Sequence, residues 1–164
     1  MPIGPGGVVG WFCNEAQRYV EQMLGLYHFA IRYEMVDLAD RTMDELQAHE
    51  YRCKGRLAIS QIQEVYESSQ PSSKMRSYCA VGLYQRMIST TMGAPEQPRC
   101  CGFLILRDVF PEIENDIYRA ADTYELKSLQ RKVDYRDQHS FGSCEFHAHK
   151  KVILVPRRTP SLRN

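Results

Sequence analysis

The chain has 164 residues, 43% hydrophobic and 25% charged, an ordinary globular balance that fits one domain. No apolar run reaches the roughly 18 residues of a membrane span, so membrane insertion is not expected. The formal net charge of +1 argues against a protein held to nucleic acid along its whole length.

Residues 1–13 are apolar but interrupted by glycine and proline, and they read as a poorly structured stub. They hold no Lys or Arg, so no secretory signal is expected. From Glu15 to Arg32, Ala16, Tyr19, Val20, Met23, Leu24, Tyr27, Ala30 and Ile31 repeat with helical period, and Asn14 is placed to cap this helix. Leu26, Phe29 and Tyr33 add apolar surface on other sides, which predicts a second half buried nearly all round. Gly25 costs helix propensity and predicts a close neighbour. His28 reads as a hydrogen-bonded structural histidine.

A break at Glu34–Asp37 leads to a second stripe of Leu38, Ala39, Thr42, Met43 and Leu46, close enough in sequence to pack beside the first. The polar stretch His49–Arg56 separates this pair from the rest. Ser60 with Gln63 predicts a capping box opening a third helix with Ile62, Val65 and Tyr66. Ser72 or Ser73 caps a fourth, with Met75, Tyr78, Cys79, Val81, Leu83, Tyr84 and Ile88. Gly93, Pro95 and Pro98 form a loop.

The run Phe103–Leu106 is too short for its period to decide between helix and strand. Pro111 opens a fifth helix, with Glu112 and Glu114 at its positive end and Ile113, Ile117, Ala120, Ala121 and Tyr124 buried. Beyond Glu125 the chain is polar and irregular, and Val152–Val155 is β-like without a strand to pair with. The expected fold is all-α, about five helices in an irregular bundle. The expected divisions are the stub 1–13, a helical domain 14–124, and a Cys/His segment with basic tail, 125–164.

Signatures of enzymes are missing. There is no phosphate loop, no H-E-x-x-H and no G-x-S-x-G elbow, and the carboxylates lie on solvated faces. A non-enzymatic protein is expected. The most specific local pattern is Cys144, His147 and His149, which supply a thiolate and two imidazoles for a tetrahedral zinc. Cys100, Cys101 or His139 would have to complete it. The rival reading is an exposed polar loop with no cofactor. Lys150, Lys151, Arg157, Arg158 and Arg163 form a tail without acids, leaving the preceding body with 16 basic against 20 acidic residues. The tail reads as a solvated end, with weak, salt-sensitive contact to phosphates as the alternative. Six cysteines without a signal segment point to reduced thiols in the cytoplasm or nucleus.

With the helices placed, Leu26-Tyr27-His28-Phe29-Ala30-Ile31-Arg32-Tyr33-Glu34-Met35-Val36-Asp37-Leu38 resembles the last helical hairpin of a BTB/POZ domain, L-Y-x-F-A-x-x-Y-x-[ILM]-x-x-L. Val65-Tyr66-Glu67-Ser68-Ser69 followed by Ser73-Lys74-Met75-Arg76 is similar to the V-Y-E-x-[ST]…S-x-L-R of filamentous-fungal BTB proteins. Cys144, His147 and His149 resemble a C-terminal C-x-x-H-x-H in some of them. The strand-rich first part of a BTB domain has no counterpart ahead of Asn14, so a C-terminal BTB piece is expected, a fragment included.

The resemblance implies an adaptor that binds proteins, with a cullin-type ubiquitin ligase or a second copy as partner. The face expected to seek that partner lies on the helix carrying Tyr19, Met23, Leu26, Phe29 and Tyr33. A body of this size covers one broad stripe of a helix, and the strands that would cover another are missing. Val8, Val9, Trp11 and Phe12 folding back over the helix is the alternative cover. A zinc- or nucleic-acid-binding protein is the alternative function.

Overall fold

The computed structural model describes residues 7–91, 101–128, 134–141 and 145–148. Among these the chain forms seven helices and no strand: α1 (Gly7–Arg32), α2 (Val36–Cys53), α3 (Ile59–Ser68), α4 (Lys74–Thr91), α5 (Cys101–Val109), α6 (Glu112–Ser128) and the single turn α7 (Gln138–Phe141). The fold is all-α. None of the described helices is long and apolar enough to cross a membrane.

Helices α1 and α2 form one antiparallel hairpin, and α4 lies against α6. Helix α3 touches α1, α4 and α5, and α7 rests on α2. The α1–α2 corner is a Schellman motif: the Met35 amide donates to Ala30 O at 2.8 Å and the Glu34 amide to Ile31 O at 3.2 Å. Glu34 holds the left-handed conformation (φ 56°) that usually selects glycine. The end of α2 repeats the device, with Gly55 N–H on Glu50 O and Lys54 at φ 50°.

The face of α1 made by Val20, Leu24, Tyr27 and Ala30 packs on Ala39, Met43 and Leu46 of α2 within one core. That core continues through Met75, Tyr78, Cys79 and Val81 of α4 to Ile113, Ile117 and Tyr124 of α6. Ser73 caps α4, its hydroxyl accepting from the Met75 amide at 3.2 Å.

Several expectations change. Helix α1 begins at Gly7, inside the stretch 1–13 expected to lack structure, and Asn14 is interior to the helix. Gly25 has nothing within 4 Å of where a Cβ would stand; it faces open space. Two other glycines admit neighbours: at Gly102 a Cβ would come within 2.7 Å of Ile59 Cγ1, where α5 approaches α3, and at Gly82 within 3.0 Å of the Tyr135 hydroxyl. The apolar run Phe103–Leu106 belongs to that helix. The third helix starts at Ile59, and the backward half of its capping box is Ala58 N–H donating to Gln61 Oε1 at 2.8 Å, two residues before the expected Ser60/Gln63 pair.

Nor does the body end near Tyr124. Tyr135, Phe141 and Phe146, in the segment read as irregular, are buried in the same core. The rings of Phe141 and Phe146 stack with centroids 5.2 Å apart, and Tyr78 meets Phe146 edge-on at 5.1 Å.

Candidate functional site

Helix α1 has two apolar sides of opposite fate. Tyr27 and Leu24 are buried, whereas Leu26 is 36% exposed, Phe29 50% and Tyr33 60%. The second half of the helix is therefore not buried nearly all round; α2 and α3 cover one side and the other faces outward. Leu26, Phe29 and Tyr33 follow one another at helical spacing on that outer side. The rings of Phe29 and Tyr33 pair at 4.6 Å. Ile31, Met35 and Val36, at and after the helix end, are also exposed.

Tyr19 and Met23 do not join this face. Tyr19 lays its ring 4.5 Å from that of His49 on α2, and Met23 packs against the core. The fold-back of Val8–Phe12 is also answered by the helix. In one continuous α1, Phe12 precedes Leu26 by about 21 Å along the axis at the usual rise per residue, so the segment cannot return over Leu26 and Phe29.

His28 lies between the two sides. Its Nε2 is 3.1 Å from Ser68 Oγ and 3.2 Å from Ser69 Oγ, which ties α1 to the end of α3. Burial lowers its pKa.

Of the Cys/His group, only His147 can be placed. It is buried, and its Nε2 donates to Asp44 Oδ1 on α2 at 2.8 Å. Gln138 donates to the same oxygen at 2.9 Å. The contact docks residues 145–148 onto α2. Cys144, His149 and Cys100 lie outside the described residues, as do the side chains of Cys101 and His139, the basic tail (Lys150, Lys151, Arg157, Arg158, Arg163) and the β-like run Val152–Val155. Among the described residues no three His, Cys, Asp or Glu side chains cluster to hold a metal.

One charged cluster escaped the sequence reading. Glu50, inside the stretch read as a polar separator, belongs to α2 and is only 2% exposed. The Tyr78 hydroxyl donates a short hydrogen bond to its Oε2, and Oε1 is buried with no hydrogen-bond partner among the described residues. Burial pushes the carboxyl up to about 7, against the lowering effect of the Tyr78 bond, of Arg86 and Arg136 nearby and of the Leu57 backbone. The signal available was helical period: Met43, Leu46, Gln47 and Glu50 share one face. A carboxyl so enclosed meets no substrate. Its effect is on stability, through pH.

No family model, curated protein or solved structure matches this chain.

Proposed function

We propose that this chain is a non-enzymatic protein–protein interaction module of the BTB-adaptor kind, acting inside the cell. The observation that carries the reading is the outer side of α1, where Leu26, Phe29 and Tyr33 stand exposed in a row. Contiguous exposed apolar surface of this sort marks interaction sites, and aromatic residues that fill a partner's pocket dominate binding energy. The α1–α2 hairpin, with Tyr33 at its corner and Leu38 in the first turn of α2, supports the reading. Reduced Cys53 and Cys79 fit an intracellular setting in the cytoplasm or nucleus.

Two occupants fit the face: a second copy of the chain, or a cullin-type scaffold. The test is sedimentation velocity over a wide concentration range, with and without a cullin N-terminal domain. Wild-type protein is expected to form either a dimer or a cullin complex. Leu26→Glu with Phe29→Glu is expected to abolish whichever forms, at about 2 kcal/mol or more per anchor lost. Both side chains are solvent-exposed, so the unfolding midpoint should hold, as surface substitutions change stability by about 0.5 kcal/mol or less. A wild-type monomer that binds neither partner overturns the reading.

Zinc binding is the second reading, and one observation favours it. A carboxylate that fixes one ring nitrogen is how metal-ligating histidines are commonly oriented, and Asp44 holds His147 through Nε2. Zinc would then take Nδ1 together with Cys144 and His149. Metal analysis of purified protein decides it: about one equivalent, lost in Cys144→Ser, is the expected result of a site. Metal-free protein of unchanged stability removes it.

A further inference from the structure

The left-handed turn at Lys54 does more than end α2. By reversing the chain there, it brings Arg52, Lys54 and Arg56 to the walls of one groove of about 500 Å³, with Tyr51 at its edge. The opposite wall is Arg136, from a segment 81 residues further along, whose Nη1 donates to Gly55 O at 2.9 Å. Asp134 grips Arg136 bidentately, Nε to Oδ1 at 2.9 Å and Nη2 to Oδ2 at 2.7 Å.

The charges do not balance. Asp134 offsets Arg136, but Arg52, Lys54 and Arg56 are exposed and make no ion pair among the described residues. Three like charges around one concavity repel one another, and an anion relieves that repulsion. The carbonyl end of α2 opposes an anion; the turn meets two of its last four carbonyls, Glu50 O and Tyr51 O, with the Gly55 and Lys54 amides, and three cations outweigh the remainder. A carboxylate would leave most of the positive charge unmet. A phosphate monoester, with nearly two negative charges and three acceptor oxygens, matches it better. The exposed ring of Tyr51 offers a planar face beside the cations. A volume near 500 Å³ is that of an ordinary small-molecule site.

We propose that this groove binds a nucleoside monophosphate, its phosphate between Arg52, Lys54 and Arg56 and its base against Tyr51. The test is isothermal titration calorimetry with 5′-AMP, ribose 5-phosphate and a short single-stranded oligonucleotide at low and high salt. AMP is expected to bind, more weakly as salt rises. Arg52→Glu with Arg56→Glu should weaken it about tenfold or more while leaving the thermal midpoint in place, since each cation contributes a charge-assisted hydrogen bond. Tyr51→Ala should weaken AMP while leaving ribose 5-phosphate unchanged. No AMP binding, or equal binding by the double variant, overturns the proposal. An oligonucleotide that binds more tightly than AMP overturns it too, because the site would then serve a nucleic-acid strand.

Discussion

Arg76→Ala is expected to cost about 3 kcal/mol of folding stability, read as a lower urea midpoint with unchanged slope. Arg76 is 5% exposed, and three contacts depend on its guanidinium. Its Nη2 donates to Tyr66 O at 2.6 Å, its Nη1 meets Glu112 Oε1 at 3.3 Å, and its carbon lies 4.6 Å over the Tyr66 ring. Tyr66 O is among the last carbonyls of α3, which lack a partner within their own helix. Arg76 therefore closes the C-terminus of α3 from α4 and supplies a cation where the helix dipole favours one. Alanine leaves that carbonyl buried and unmet. Glu112 is half-exposed and returns to water at little cost, so most of the loss comes from the Tyr66 side. Lysine should recover only part, because it has neither the fork nor the flat face of arginine. A loss under about 1 kcal/mol in Arg76→Ala would mean that the contacts are incidental.

The same contact spans the α3–α4 turn. Val65-Tyr66-Glu67 and Ser73-Lys74-Met75-Arg76 flank the α3–α4 turn. Their tyrosine and arginine meet ring to guanidinium across it, while Ser73 caps α4. Helix existence was legible from period wherever a helix buries one stripe, as in α2, α4 and α6. Helix ends were less so. The ends of α1 and α2 each set a charged residue, Glu34 or Lys54, in the left-handed conformation where a sequence reading looks for glycine. The outer side of α1 was legible as surplus apolar surface, because Leu26 and Phe29 fall off the Val20–Leu24–Tyr27 stripe. Whether that surplus is covered depends on neighbours distant in sequence. Tyr135, Phe141 and Phe146 were illegible for the same reason: single aromatics in a polar stretch carry no period, and only the tertiary fold brings Tyr135 and Phe146 to Tyr78 and Phe141 to Phe146.

Glu50 shows what such a fold imposes on one acid. Its carboxyl rises from the ordinary 4.5 to about 7 on folding, chiefly because burial penalises the charge. The native state thus keeps a proton that the unfolded chain releases between those two values. The associated stability is fully present below pH 4.5 and is lost as pH rises through 7. A shift of that size corresponds to about 3 kcal/mol. Glu50→Gln keeps the shape and the acceptor for Tyr78 but cannot ionise. Its amide nitrogen would occupy the place of Oε1, which has no partner among the described residues, at a cost of about 1–2 kcal/mol that pH does not alter. The quantity to follow is therefore the stability difference between the variant and wild type. Every other titrating group, His28 and His49 included, is common to both and largely cancels. From pH 4.5 to pH 8 that difference should move by about 3 kcal/mol in favour of the glutamine variant, measured by urea unfolding at each pH. A difference that stays flat across the range would mean that Glu50 titrates near 4.5 in the folded protein, and that Tyr78, Arg86 and Arg136 offset the whole effect of burial.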